Sequence, residues 1–296
     1  MKISKIKLQY NNYEAGEFSD IRECNVDEAI EQIKQFSWEK ERALSSIGYT
    51  CPSVTVEDNE GNYIKIAPFY NGKYVAYYLP AGEKHVCQKS LTDLHDACEE
   101  IKRFYEQALD GYKKQLFRGN ILKHFVTAEF NYSINQKRVI LYSIWPIGVT
   151  VTYLLLYLMG YKYSNKLEAD SLLIFAWTVT TGINVILLIN YILHDKRINI
   201  KISAGNETIL FGNGIQQKTY RKENVNKVQV YQIPFLSSGF DRCPWGNYMF
   251  YVILFNDHTT IKFTSLLIGY IDFERKFDKS KIEYRSKYFP LTFTAK

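Results

Sequence analysis

Two apolar stretches decide the fold: VILYSIWPIGVTVTYLLLYLMGY at residues 139–161 and SLLIFAWTVTTGINVILLINYIL at residues 171–193. Each has 23 residues and contains no Asp, Glu, Lys or Arg. As a helix with a rise of about 1.5 Å per residue, each reaches about 35 Å, enough to cross a hydrocarbon layer of about 30 Å. The sequence therefore predicts a two-helix transmembrane hairpin over residues 139–193.

The remainder of the chain has the composition of folded, water-soluble domains. Of the 296 residues, 46% are apolar and 23% are charged, which excludes a disordered or collagen-like protein. Residues 1–10 alternate apolar and polar types like a strand and lack the apolar run of a signal peptide. The five cysteines include no Cys-x-x-Cys pair, so we expect reduced thiols that face the cytosol.

Residues 1–118 are expected to form a soluble α+β domain with the element order βαβββα. Asn25 and Glu28 have the spacing of a capping box at the start of a helix near residues 26–36. Apolar residues recur in that stretch at helical spacing, which predicts an amphipathic helix that covers the sheet.

The second half of this domain contains a hairpin and a long helix. Asn71-Gly72 lies between two stretches rich in β-branched and aromatic residues and predicts a tight hairpin. Over residues 91–116 apolar residues recur every three or four positions. This pattern predicts one long helix that starts at Ser90, with Asp93 as its capping partner.

Residues 119–138 are expected to be a juxtamembrane linker. Gly119 can end the long helix, and Asn120 can start a short one. The sequence around Ile121, Lys123 and Phe125 fits an interfacial helix in the headgroup plane. The alternative is an ordinary polar linker that packs on its neighbours.

Residues 195–296 are expected to be mainly β, with one C-terminal helix. Stretches rich in β-branched and aromatic residues alternate with turns rich in Gly and Asn. They predict strands at 198–203, 207–211, 215–220, 225–231, 248–255 and 259–264. Residues 265–278 have apolar side chains on one helical face and predict the terminal helix.

This order of two membrane helices, a β-meander and a terminal helix resembles bacterial membrane proteins that carry a PH-like domain. The segment Tyr220–Tyr231 is similar to the strand that follows a basic turn in such domains, and 248–255 with 259–264 resembles the hairpin before their helix. The resemblance covers about residues 139–280 and implies a binding or scaffolding module in a bacterial inner membrane. Residues 1–118 resemble, by size and class only, the α+β domains of toxin-immunity proteins.

Basic residues concentrate in residues 195–296, with 16 Lys or Arg against 9 Asp or Glu. A basic domain tethered beside a membrane attracts anionic lipid headgroups, so we expect surface contact with lipid. The residues expected to make this contact are Lys218, Arg221, Lys222, Lys227, Arg275, Lys276, Lys279, Lys281, Arg285 and Lys287. The alternative is a solvated basic face without a ligand.

Basic residues also predict the orientation of the hairpin. Six of them flank the two apolar stretches on the side of the soluble domains, whereas the loop at 162–170 contains two. Under the positive-inside rule both termini are expected in the cytoplasm, with the hairpin loop outside.

Small residues predict close packing of the two apolar helices. Gly148 with Thr152, and Thr178 with Gly182, have small-xxx-small spacing, and Asn184 is expected to face the partner helix because lipid exposure would be costly. A homo-oligomer is an alternative use of the same residues.

Candidate chemistry is sparse. His85, Cys87, His95 and Cys98 are the one group with metal-ligand spacing, and Cys51 is the one candidate nucleophile, with a histidine as its base. Buried thiols without chemistry are the alternative for both. We expect neither a cofactor nor catalysis, and no nucleic-acid partner, because no nucleotide-binding or RNA-binding motif is present.

The expected function is therefore binding. An unidentified protein partner is expected at the Tyr-rich hairpin, with Tyr70, Tyr74, Tyr77 and Tyr78 as contact residues. The alternative is that these tyrosines belong to the domain's own core. At the level of the whole protein, an anchored immunity or regulatory protein competes with an oligomeric membrane effector that forms a pore.

Overall fold

The computed structural model describes residues 3–44, 48–115, 119–160, 166–234 and 245–294. The chain divides into two compact units. The first unit comprises Met1–Glu129 and the short segment Ser203–Asn206, and the second comprises Phe130–Ile202 and Glu207–Lys296.

The first unit contains an antiparallel sheet and three helices. The strands are β1 (Ser4–Gln9), β2 (Ser19–Cys24), β3 (Ser53–Glu57), β4 (Tyr63–Pro68), β5 (Tyr74–Leu79), β6 (Val86–Leu91) and β7 (Lys113–Gln115), and the helices are α1 (Val26–Gln35), α2 (Trp38–Ala43) and α3 (Leu94–Tyr105). The seven strands have the order β2-β1-β3-β4-β5-β6-β7. The α+β class expected for this region is therefore found.

Two local predictions for this unit are confirmed. The Glu28 amide donates to Asn25 Oδ1 at 3.0 Å, and the Asn25 amide donates to Glu28 Oε2 at 2.9 Å, which completes the capping box of α1. β4 and β5 pair antiparallel across the turn at Asn71-Gly72. Both turn residues have positive φ, 55° and 75°, a conformation that Asn and Gly tolerate best.

The predicted long helix is wrong in length. Ser90 lies in β6, Asp93 is the N-cap of α3, and the helix ends at Tyr105. Gln107 and Gly111 both have positive φ, so the backbone leaves the helical path. β2, β6 and β7 were not predicted, because they are short or polar and lack a continuous apolar face.

Residues 119–129 belong to the first unit and cover one face of its sheet. Asn120 caps a short 3₁₀ helix, Ile121–His124, through its side-chain oxygen. Ile121 and Phe125 are buried with Tyr63 and Tyr77. These two apolar side chains are not available to a headgroup layer, whereas Leu122 and Val126 of the same segment are exposed.

The second unit contains two four-stranded sheets. One has the order β11-β10-β9-β8 and the other β14-β13-β12-β15. The strands are β8 (Asn131–Tyr132), β9 (Asn199–Lys201), β10 (Thr208–Gly212), β11 (Gln217–Arg221), β12 (Val225–Gln232), β13 (Phe250–Phe255), β14 (Thr260–Thr264) and β15 (Ile282–Ser286). All six predicted strands are present. β8 and β15 were missed because one has two residues and the other is polar.

The helices of the second unit are α4 (Gln136–Gly160), α5 (Lys166–Asp195) and the short α6 (Tyr270–Glu274). α6 covers only part of the predicted helix 265–278, because residues 265–268 form a turn after β14 and the helix begins only after its N-cap, Gly269. Between the two sheets, Ile200, Val228 and Phe263 form part of a core.

The long helices α4 and α5 are long and apolar enough to cross a membrane. Trp177 Nε1 donates to Thr150 Oγ1 at 3.0 Å, and the Tyr153 and Trp177 rings lie 6.0 Å apart, so the helices pack side by side as a hairpin. The hairpin lies between β8 and β9 in the sequence. These strands pair directly, with Asn131 opposite Lys201 and Tyr132 opposite Ile200.

Candidate functional site at the base of the helical hairpin

A polar cluster fixes the end of α5 to the sheet of β12–β15. The Asp195 side chain is fully buried, and its Oδ2 accepts from the Thr264 amide at 3.2 Å and from Thr264 Oγ1 at 2.5 Å. His194 Nδ1 lies 2.7 Å from Asp195 Oδ1. Because a buried carboxylate is stable only when such donors surround it, this cluster holds the helix in one position.

The start of α4 is fixed to segments that flank the strands of the same sheet. Arg138 Nη1 donates to the Leu267 carbonyl at 2.7 Å, and Arg138 Nη2 lies 3.4 Å from Asp272 Oδ2. The Tyr142 hydroxyl donates to the Asn247 carbonyl at 2.9 Å. Both helices of the hairpin are therefore tied to the sheet by side chains at their bases.

Aromatic rings fill the space between these polar contacts. Tyr191 and Tyr248 pack edge to face at 5.3 Å, and Tyr231 stacks on Phe250 at 4.4 Å with an interplanar angle of 8°. The Tyr248 hydroxyl donates to the Asn184 carbonyl at 3.1 Å. We call this layer and the polar contacts around Asp195 and Arg138 the junction. It makes the hairpin and the sheet one packed body.

The basic residues expected at a membrane surface occupy separate places on this unit. Arg221, Lys222 and Lys227 lie where β12 begins, whereas Arg285 and Lys287 lie where β12 and β15 end, beside the junction. Lys227 and Arg285 nevertheless share one partner, Glu283, so the two groups are linked through this carboxylate.

Neighbouring carboxylates partly neutralise both groups. Arg221 pairs with Glu223 at 3.2 Å, and Glu283 pairs with Lys227 at 2.7 Å and with Arg285 at 3.1 Å. Such exposed pairs contribute about 1 kcal/mol or less, so they leave the basic side chains able to exchange partners.

The other basic candidates differ in exposure. Lys218, Arg275 and Lys279 are exposed, and Lys281 donates to the Val225 carbonyl at 2.8 Å. The expectation of a surface position is wrong for Lys276, which is 2% exposed. Its ammonium donates to the Tyr132 hydroxyl at 2.9 Å and lies over the Tyr132 and Phe130 rings.

The Tyr-rich hairpin of the first unit is mostly core. Tyr74 is buried against Trp38 with Arg42 over its ring, Tyr77 is buried against Tyr49, and Tyr78 packs on Phe104. These three side chains belong to the domain's own interior and do not form a free surface. Tyr70 differs, since it is 61% exposed at the hairpin turn.

The metal candidates are not brought together. Within the described residues, the one group of His, Cys or acidic side chains close enough to hold an ion is Asp93, His95 and Asp96. There Asp93 Oδ1 accepts from the Asp96 amide and Asp96 Oδ2 from the Thr92 amide, which is helix capping.

The cysteine and histidine candidates have structural surroundings. His85 lies 3.2 Å from Glu83, Cys87 lies on β6, and Cys98 is buried on the inner face of α3. Cys51 is also buried, and burial raises the pKa of its thiol. A raised pKa disfavours the thiolate that a nucleophile needs.

Four of the five predicted helix-packing residues, Gly148, Thr152, Thr178 and Gly182, lie away from the contact between α4 and α5. A Cβ added at Gly148 or at Gly182 would meet no other atom within 4 Å. Thr152 and Thr178 are exposed, and each donates to a carbonyl of its own helix. Asn184 is buried, and its amide donates to the Thr180 carbonyl at 2.6 Å.

Gly148 and Thr152 line part of an apolar groove instead. The groove has a volume of about 710 Å³ and is lined by residues of both helices of the hairpin and by Asn247. Gly148, Thr152, Tyr153 and Trp177 are among the residues that line it. The groove is therefore accessible from outside the hairpin.

A second polar cluster, not predicted from the sequence, lies inside the first unit. Lys65 is fully buried and donates to Gln9 Oε1 at 2.8 Å, to the Tyr49 carbonyl at 2.8 Å and to the His124 carbonyl at 2.9 Å. Thr50 Oγ1 lies 2.6 Å from His124 Nδ1. The alternation of β4 gives no sign of this cluster, because Lys65 lies between apolar residues as a surface lysine would.

Burial dominates the ionisation of this cluster. It lowers the pKa of Lys65 to about 8. It also lowers the pKa of His124 to about 4, with a smaller contribution from the charges of Lys65 and Lys123. At neutral pH the His124 imidazole is therefore neutral, and Lys65 retains three acceptors for its ammonium. This is the pattern of a structural cluster, not of a catalytic pair.

Comparison with known proteins identifies one part of the chain. A family model described as a PH domain matches residues 131–276. No curated protein and no solved structure is significantly similar to the chain. The match begins at β8, ends just after α6 and includes both long apolar helices. The chain therefore contains a PH-like domain in this region, in agreement with the resemblance seen in its sequence.

Proposed function

We propose that the protein is a membrane-anchored, non-enzymatic binding protein. The helical hairpin α4–α5 crosses a bilayer, the PH-like domain stays at its surface, and the N-terminal unit presents a binding surface to a protein partner. PH domains commonly bind lipid headgroups or proteins, which fits both kinds of partner. The absence of a catalytic motif in the sequence supports a binding role over an enzymatic one.

The single observation that carries this proposal is the position of the hairpin inside the PH-like domain. β8 precedes α4, β9 follows α5, and the two strands pair with each other. Both ends of the hairpin must therefore lie on the same side of a bilayer. The six flanking basic residues favour the cytoplasmic side for that end.

The finer form of the proposal is an immunity or regulatory protein of a bacterial inner membrane. Such a protein would capture a membrane-active partner and hold it at the bilayer. Tyr70, exposed at the turn between β4 and β5, is the remaining candidate contact of the predicted Tyr surface. The basic residues near the junction would contact anionic headgroups of the same membrane.

A second candidate function is an oligomeric membrane effector. The groove favours it, because the open space there beside Gly148 leaves room for a helix of another copy. In that case the soluble units would act as sensor and gate.

The test combines sizing with partner capture from the native membrane. We expect the full-length protein in detergent to be a monomer or dimer by light scattering and to bring one stoichiometric partner. Tyr70→Ala should reduce recovery of that partner at least threefold, whereas Lys73→Ala, a neighbouring exposed residue, serves as the matched control. A ring of four or more copies without a partner would contradict the anchor and favour the effector.

A further inference from the structure

The last described segment of the chain, 287–294, lies along helix α5 and the sheet of β12–β15. The Tyr191 hydroxyl donates to the Pro290 carbonyl at 2.9 Å, and Asn190 Oδ1 accepts from the Thr292 amide at 3.0 Å. Lys262 Nζ donates to the Thr292 carbonyl at 2.8 Å. Side chains of α5 and β14 thus bind the backbone of this segment, and the Lys287 amide donates to the Gln232 carbonyl of β12 at 2.7 Å.

Three large side chains of this segment nevertheless point outward. Tyr288 is 67% exposed, Phe289 is 49% exposed and Phe293 is 71% exposed. We call these three residues the aromatic patch. The backbone beneath them is fixed, since Trp245 Nε1 also donates to the Tyr288 carbonyl at 3.2 Å. A rigid segment that presents three exposed aromatic rings has the features of an interaction surface.

The patch continues the apolar surface of α5. Ile186, Ile189 and Leu193 are exposed on that helix at spacings of three and four residues. They extend the exposed apolar stripe of the hairpin to the level where Asn190 binds the C-terminal segment. The medium that contacts the exposed apolar side chains of the hairpin therefore also contacts this C-terminal segment.

The register of the hairpin gives the depth of that level. Thr150 and Trp177 are hydrogen-bonded and so lie at one height. Arg138 is 12 residues before Thr150 and Ile189 is 12 residues after Trp177, and both distances correspond to about 18 Å along antiparallel helices. Asn190, and with it the aromatic patch, therefore lies at the height of Lys137 and Arg138.

This height is the one where a bilayer changes from hydrocarbon to headgroups. The basic pair at the start of α4 cannot enter the hydrocarbon, whereas Ile140 and Leu141 directly after it are apolar and exposed. Tyr and Phe side chains next to basic residues are typical of the interfacial layer, where rings partition between acyl chains and headgroups.

We infer that the aromatic patch is a membrane-contact site that inserts into the headgroup layer beside α5. Its ligand is the bilayer interface itself. The inference rests on the proposed function, since it requires that the hairpin cross a membrane. It adds a third, monotopic contact to the two helices and sets the orientation of the hairpin and the PH-like domain, as one packed body, relative to the bilayer.

The experiment places one fluorinated probe at a time in the full-length protein. Trifluoromethylphenylalanine replaces Phe289 or Phe293, and the protein is reconstituted in nanodiscs of phosphatidylcholine with phosphatidylglycerol. The ¹⁹F relaxation caused by dissolved oxygen, which concentrates in lipid, is compared with that caused by a water-soluble nickel chelate. The same probe at Leu155, exposed in the last third of α4, reports hydrocarbon, and the probe at Glu223, beyond the far end of β12, reports water.

We expect the ratio of oxygen effect to nickel effect at 289 and 293 to be several-fold higher than at 223 and lower than at 155. A ratio equal to that at 223 would overturn the inference while leaving the membrane anchor intact. Protection from both reagents would overturn it as well, because protein would then cover the patch. An aqueous ratio at 155 would overturn the membrane-crossing proposal and this inference together.

Discussion

Lys65 and His124 show how a single buried position can differ from its appearance in the sequence. In β4 the ammonium of Lys65 is enclosed by three acceptors, and the His124 ring lies at the same place. A charged group without water is tolerated only when its hydrogen bonds are complete. The interior of the first unit is therefore sensitive to protonation at this point.

The lowered pKa of His124 predicts an acid-sensitive first unit. Its folded pKa is about 4 against an ordinary value of 6.5, so between these values the unfolded chain binds more protons than the folded one. Stability of the first unit should therefore fall as the pH drops from about 6.5 to 4, by at most about 3 kcal/mol.

Hydrogen exchange of the β3–β4 peptides between pH 7 and 4.5, corrected for intrinsic rates, measures this loss. His124→Gln should flatten the pH dependence, whereas His95→Gln, which removes an exposed histidine, should not change it. An equal slope in the wild type and in His124→Gln would show that another group is responsible.

At the scale of single elements, local signals in the sequence were reliable where they depend on neighbours in the chain. The capping box of α1 and the Asn71-Gly72 turn need only residues within four positions, and both were predicted correctly. The end of α3 was not predicted correctly. Apolar residues continue at helical spacing beyond Tyr105, but the backbone leaves the helix at Gln107, which has a positive φ. Polar strands such as β7 and β15 were missed because they lack the apolar alternation that marks a half-buried strand.

The attachment of α5 to the sheet gives a prediction for an element. Asp195→Ala removes the acceptor of the Thr264 amide and hydroxyl, which would remain buried, so we expect the second unit to lose about 3 kcal/mol. Asp195→Asn keeps an acceptor oxygen and should lose clearly less.

Unfolding of the full-length protein in detergent, followed by near-ultraviolet circular dichroism of the aromatic junction, checks this order. If both substitutions left the transition unchanged, the polar cluster would not be what fixes the helix.

At the scale of the whole molecule, the sequence predicted the helical hairpin and the PH-like region correctly. It did not predict which individual side chains are buried and which lie on the surface. Lys276 is an example: it belongs to a basic run in the sequence, yet Tyr132, which accepts its hydrogen bond, lies 144 positions earlier. Charge counts identify a basic domain, whereas burial of one member of it depends on contacts that only the fold supplies.

The first unit includes the short segment Ser203–Asn206, and the contacts of this segment give a third prediction. The Ala204 amide donates to Glu14, and the Gly205 amide donates to Glu17. Glu17 is buried and also accepts from the Ser203 hydroxyl. Glu17→Ala should therefore speed exchange of the Gly205 amide about tenfold or more, since each such charged hydrogen bond contributes about 1.5–3 kcal/mol.

Amide exchange of the 203–206 segment in the full-length protein measures this effect. Glu60→Ala, on an exposed turn of the same unit, is the matched control and should leave the exchange unchanged. Unaltered protection at Gly205 in Glu17→Ala would mean that the backbone packing against Tyr13 suffices to hold the segment.

The pairing of β8 with β9 also determines the order of events when the protein is made. β8 leaves the ribosome before the hairpin, and its partner strand follows only after α5 is complete, so the sheet stays open throughout synthesis of both helices. If the helices enter a bilayer, as proposed, the sheet closes only after the second helix has returned to the side from which the first departed. Folding of the PH-like domain therefore depends on correct insertion of the hairpin. If the two ends of the hairpin lie on opposite sides of the bilayer, β8 and β9 cannot pair, even though the sequence of the sheet is unchanged.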